Sequence, residues 1–116
     1  MSQRPIPEAW RLAVCAALKS GSPARAKFTE DGRKEWQDDF HRAYRFELEQ
    51  AFIEALSLPH ITGCHVTLSH PPGETWEFYF TYEGTRTYGK ILLRPDQESI
   101  VILSAHRPHK GKLSCE

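Results

Sequence analysis

No stretch of the 116-residue sequence stays apolar for anything near the roughly 20 residues that cross a bilayer, so no helical membrane span is expected. Neither sign of charge is in excess. Fifteen Lys and Arg face fifteen Asp and Glu, which argues against a protein that coats nucleic acid over its whole surface. Residues 1–8 lack the apolar stretch of a secretory signal. The three cysteines, Cys15, Cys64 and Cys115, are few and odd in number. Together these features predict a cytoplasmic protein with reduced thiols rather than a disulfide framework. There is also no phosphate-cradling glycine loop, nucleophile elbow or dinucleotide fingerprint, so no motif announces a reaction by itself.

What is present suits one folded domain over residues 1–116. Hydrophobic residues make up 40% and charged residues 26%, the balance of a globular chain and not of a disordered one. Pro7 suits a first helical turn, and Trp10, Ala13, Val14, Ala17 and Leu18 recur at helical spacing up to Ser20-Gly21. Residues 24–31 read as a connection. From Arg33 to Leu56 the apolar positions Trp36, Phe40, Ala43, Tyr44, Leu48, Ala51, Phe52, Ala55 and Leu56 keep helical period, predicting one long second helix.

Beyond Pro59 the period becomes two. Cys64, Val66 and Leu68 alternate with polar residues, and Trp76, Phe78, Phe80 and Tyr82 do the same in a second run. Glu83-Gly84 marks a tight turn into a third run over residues 85–93. The turn Arg94-Pro95-Asp96-Gln97 leads to a fourth, in which Ile100 to Leu103 are all aliphatic. The expected fold class is therefore α+β: two N-terminal helices packed on one face of a four-stranded antiparallel sheet. The fourth run should be an interior strand. Trp10, Trp36 and Trp76 read as core anchors, Cys15 as a small core residue, and His41, His65 and His70 as surface residues.

Charge becomes informative when divided. Residues 61–83 carry Glu74, Glu77 and Glu83 with no Lys or Arg. Residues 84–116 carry Arg86, Lys90, Arg94, Arg107, Lys110 and Lys112 against Asp96, Glu98 and Glu116. The fourth strand delivers His106 and Arg107 at its exit, followed by Pro108, His109, Lys110 and Lys112. Histidines can give and take a proton near neutral pH, and Arg and Lys bind phosphate. That set is the inventory of metal-free RNA cleavage: a base for the ribose 2′-OH, an acid for the leaving 5′ oxygen, and cations for the phosphorane. On strand alternation Arg86, Tyr88 and Lys90 share one face of the third strand and can hold phosphate and stack a base. The candidates are His106, Arg107, His109 and Lys90 for catalysis, with Arg86, Tyr88 and Lys110 for substrate. The isolated His106-x-x-His109 spacing, with no paired cysteines, gives no metal assignment, and no cofactor is expected.

The run Tyr88-Gly89-Lys90-Ile91-Leu92-Leu93, a turn, then Ile100 to Arg107, preceded by helices and strands in this order, resembles the small RelE/ParE-type toxins. It is also similar to the wider group of barnase-, EndoU- and colicin-like RNases. The resemblance implies a metal-independent endoribonuclease with basic and aromatic residues on its sheet, acting on RNA, in some cases at the ribosome. It also implies a cognate antitoxin as protein partner. The matching positions are Arg86, Tyr88, Lys90, His106 and Arg107. The long helix, the missing opening strand and the neutral charge depart from the toxins, and the ParE branch poisons gyrase instead of cutting RNA. The competing expectation is a non-catalytic protein-binding module, immunity-, antitoxin- or adaptor-like, motivated by the neutral charge and the acidic-to-basic split. A ligand pocket lined by Trp76, Phe78 and Phe80 ranks below both, because such a row more often forms core.

Overall fold

Helix and strand begin where the chain chemistry requires. Pro7, extended at ψ 137°, precedes helix α1 (Glu8–Lys19), which buries Trp10, Val14, Ala17 and Leu18 and stops before Gly21 at φ 66°. The computed structural model describes residues 2–41, 43–108 and 112–116. Within them lie three helices, α1, α2 (Glu30–Asp39) and α3 (Arg45–Leu56). They are joined by six strands: β1 (Arg4–Pro5), β2 (Ala26–Phe28), β3 (Thr62–Val66), β4 (Glu74–Tyr82), β5 (Thr85–Leu93) and β6 (Ile100–His106). Among these described residues no helix is long and apolar enough to cross a membrane.

The α+β class stands, but the details differ in three places. The sheet has six strands in the order β1-β3-β4-β5-β6-β2 and is mixed, because β2 runs parallel to β6 while the other pairs are antiparallel. The segment expected to be a plain connection supplies β2, with Ala26, Lys27 and Phe28 opposite Ile100, Val101 and Ile102. The opening strand not evident in the sequence is β1, two residues long and paired to Gly63 and Thr62.

The single long helix is broken into α2 and α3. A helix of roughly 24 residues would reach about 36 Å, longer than the 34 Å greatest extent of the molecule. Instead Phe40 leaves helical geometry at φ −139°, ψ 67°, and its ring turns onto Trp36 at 4.6 Å and Tyr82 at 5.1 Å. The chain restarts at Tyr44, whose N–H donates to the Glu47 carboxylate at 2.9 Å, a reciprocal contact of the kind that opens helices. Apolar period alone missed the break because Phe40, Ala43 and Tyr44 keep helical spacing across it.

One face of the sheet is covered. Trp76, Phe78, Phe80, Thr87, Ile91, Ile100, Ile102 and Ala105 turn toward the helices and are all buried. Phe52 of α3 packs on Phe80 at 4.6 Å and Phe78 at 5.7 Å. It reaches them because residue 89 is Gly; a Cβ there would meet the Phe52 ring at 2.8 Å. The β4–β5 hairpin closes through Glu83 (φ 50°) and Gly84 (φ 74°), the pair of positive φ angles that a two-residue turn between twisted strands favours. Arg11 satisfies the free end of α3, donating to the carbonyls of Leu56 at 2.9 Å and Leu58 at 3.4 Å.

Candidate functional site

The opposite face of the sheet carries the polar residues in cross-strand rows. Glu77, Lys90 and Ser104 form one row, and Tyr79, Tyr88 and His106 the next. His106 belongs to this face because of a β-bulge. Ile100 and Ile102 point into the core, and unbroken alternation would carry Ser104 and His106 inward with them. The register shift leaves Leu103 unpaired between Ile91↔Ile102 and Lys90↔Ser104. It returns Ala105 to the core and turns Ser104 and His106 outward, the re-aiming that bulges perform. The bulge is fixed from the side by α2: Thr29 Oγ1 donates to the Leu103 carbonyl at 3.3 Å, and Gly32 lets the helix approach where a Cβ would meet that carbonyl at 2.7 Å.

His106 sits in a cleft of about 550 Å³ between the sheet face, α2 and the C-terminal segment. Its ring stacks on Tyr88 with centroids 4.9 Å apart and planes 26° from parallel. Nδ1 lies 2.7 Å from the Arg107 carbonyl, to which it donates in the tautomer protonated there. Nε2 then faces the Glu35 carboxylate at 3.6 Å, an ion pair when the ring is protonated. The Tyr88 hydroxyl donates to Glu77. Burial, with the Glu77 carboxylate behind it, pushes the Tyr88 phenol far above its ordinary value, so it remains a proton donor at any physiological pH. A continuous line of contacts thus runs Glu77–Tyr88–His106–Glu35.

Glu77 was not among the expected residues, nor was Glu35. Glu77 is only 6% exposed, although it lies on the face away from the helices. One carboxylate oxygen accepts from Tyr88. The other accepts from the N–H of Ser114 at 3.2 Å and from the Ser114 hydroxyl. A carboxylate in a strand otherwise rich in aromatics was the sequence signal, since a buried acid needs partners. Glu35 carried no signal, as it sits on the polar side of a charged helix.

The expected residues divide. His106 and Tyr88 are together, and Lys90 and Arg86 share their face. Arg86 has its guanidinium 4.3 Å from the Tyr79 ring centroid. The Tyr79 hydroxyl beside it is buried without a hydrogen-bond partner among the described residues. Arg107 turns the other way. Its guanidinium lies 4.9 Å from the Phe40 ring centroid, and its N–H donates to Asp39 at 2.7 Å. His109 and Lys110 lie outside the described residues.

The thiol expectation is corrected. Cys64 on β3 and Cys115 are joined in a disulfide with Cα atoms 5.6 Å apart, while Cys15 is free and buried. The pairing was invisible in sequence because 51 residues separate the two cysteines and only the fold brings them together. Comparison with protein-family models, curated proteins and solved structures finds no match to this chain.

Proposed function

We propose that the chain is a small, toxin-like, metal-independent endoribonuclease working from the open face of its sheet. The observation that carries this reading is His106 held between Tyr88 and Glu35 in a cleft that also contains the Glu77 carboxylate. In this reading Glu77 takes the proton from a ribose 2′-OH, and His106, paired with Glu35, protonates the leaving 5′ oxygen. Tyr88 is the positioning residue that touches both. Arg86 and Lys90 supply cations for the phosphate on the same face, and the half-buried rings of Tyr79 and Tyr88 offer stacking surface for a base. By residue type alone His109 is proposed to act in catalysis and Lys110 in substrate binding. The resemblance to RelE/ParE-type toxins and barnase-, EndoU- or colicin-like RNases points to the same chemistry, to a cytoplasmic setting and to an antitoxin partner.

The test is cleavage of total RNA by purified protein in EDTA and a dithiol reductant, beside His106→Ala checked for folding by circular dichroism. Cleavage by the wild type and its loss in the folded variant support the reading. No cleavage, with or without added ribosomes, removes it.

A second reading, a non-catalytic protein-binding module, is favoured by a separate observation. Tyr44 and Phe46 are 69% and 68% exposed and stack on each other at 6.0 Å, beside a groove lined by Glu47, Glu54 and Glu83. Exposed aromatics of this kind suit a protein contact. This role predicts a silent RNA assay and a partner complex that is lost in the Tyr44→Ser, Phe46→Ser double variant.

A further inference from the structure

We infer that the C-terminal segment, one wall of the cleft, is a disulfide-latched plug over the Glu77 carboxylate that is released by a dithiol reductant. The inference rests on the cleft being the working site proposed above.

The segment takes the positions a substrate would need. Ser114 directs both its N–H and its hydroxyl at the same oxygen of Glu77. Those two bonds fill the lone pairs of that oxygen and the other already accepts from Tyr88, so an incoming ribose hydroxyl has to compete with Ser114 and Tyr88 for the carboxylate. Glu116 also lines the cleft, and its carboxylate accepts from the N–H of Leu113 at 2.8 Å and from the Gln3 amide at 3.0 Å. The Leu113 bond is the main reason its carboxyl sits below the usual range, with Gln3, Arg86 and Lys112 adding to it. An anion therefore rests near Arg86, one of the cations that would take a phosphate.

What holds the segment is chiefly covalent. Of residues 112–116 only Leu113 buries an apolar side chain; Lys112, Ser114 and Glu116 are exposed. One buried leucine and a few part-buried hydrogen bonds offset only a fraction of the entropy of ordering five residues. The Cys64–Cys115 bond ties the segment to β3 and removes most of that entropy. Release is a thiol–disulfide exchange. Cys64 is buried and Cys115 partly exposed, so a reductant thiolate attacks the Cys115 sulfur and Cys64 leaves as a thiolate. The second thiol of the reductant closes its own disulfide and frees Cys115. The protein gains two electrons and two protons, and the dithiol is oxidised to a cyclic disulfide.

The experiment compares amide hydrogen exchange of residues 112–116 in oxidised wild type, in wild type with dithiothreitol and in Cys115→Ser. RNA cleavage in EDTA and circular dichroism are measured on the same samples. The expected result is a folded domain throughout, with Ser114 and Leu113 amides exchanging at least about tenfold faster in the two unlatched forms. Cleavage is expected to rise by about tenfold or more in parallel. Unchanged exchange overturns the latch whatever the RNA assay gives. Faster exchange with equal cleavage in all forms shows that the segment is no plug. Faster exchange with no cleavage in any form removes the ribonuclease reading and leaves release of the segment intact. Loss of the folded spectrum in both unlatched forms makes the bond a structural staple and overturns the proposal.

Discussion

The two faces of the sheet use the same strands for opposite purposes. Toward the helices, β4, β5 and β6 present Phe78, Phe80, Ile91, Ile100 and Ile102, all closed off from solvent by α1, α2 and α3. Toward the other side they present Glu77, Tyr88, Lys90 and His106, covered by a short terminal segment and a single disulfide. The first face has almost no polar atoms to satisfy and is held by area. The second packs Leu92 and Val101 but also buries a carboxylate and a phenol, which directed hydrogen bonds must satisfy. Stability should therefore belong to one face and chemistry to the other, and substitutions can test that separation.

The largest effect belongs to the covered face. Phe52 has no exposed surface and packs on Phe78 and Phe80. Phe52→Ala is expected to cost about 3–5 kcal/mol in urea unfolding, the range for removing a buried aromatic ring. Cleavage per folded molecule should stay near wild type. A variant that keeps its stability but loses cleavage would break the separation, because the helix side would then be shaping the cleft directly.

On the open face the expectation reverses. His106→Ala should lower RNA cleavage by about 10²–10⁴-fold, the contribution of a positioned acid or base, while unfolding moves by no more than about 1 kcal/mol. A stability loss as large as that of Phe52→Ala would make His106 a packing residue.

Tyr88 joins the two kinds of evidence, since its phenol is raised by burial first and by Glu77 second from an ordinary value of 10.0. A phenol whose folded pKa is raised holds its proton in the native state after the unfolded chain has lost it. Its stabilisation is complete below about pH 10 and declines as pH rises above that value. Urea midpoints of the wild type should fall from there upward. Tyr88→Phe should flatten the fall, leaving the share due to Tyr82, which burial pushes up to about 12. An identical alkaline slope in Tyr88→Phe would mean that the phenol is not buried against Glu77.

How much of this could be read in advance follows from what each feature depends on. The strand alternation of Trp76, Phe78, Phe80 and Tyr82, the Glu83-Gly84 turn and the interior placement of the Ile100–Leu103 run depend on local chemistry, and all were legible. The break at Phe40, the parallel strand β2 and the Cys64–Cys115 bond depend on which distant segments meet, and none was. The site lies between these cases. Tyr88 and His106 were legible as residues on adjacent strands. Their meeting on one face required the bulge at Leu103, and Glu77 required knowing that its strand is half covered.

Arg107 gives the smallest effect and the finest division. The sequence pairs it with His106, yet its guanidinium lies over Phe40 and its N–H donates to Asp39, on the α2 side of the strand exit. Arg107 is exposed, and a cation at such a site over an aromatic ring contributes about 0.5–1 kcal/mol, so neutral replacement should cost no more than that in unfolding. If the geometry persists with RNA bound, Arg107→Ala will cleave within about twofold of wild type, since no bond to the reacting atoms is lost. Its stability loss should also survive in a His106→Ala background, because the two side chains act through different neighbours. A fall in cleavage comparable to that of His106→Ala would mean that the guanidinium leaves Phe40 and enters the cleft with substrate. The strand exit would then serve both faces, and the separation between them would end at Ala105.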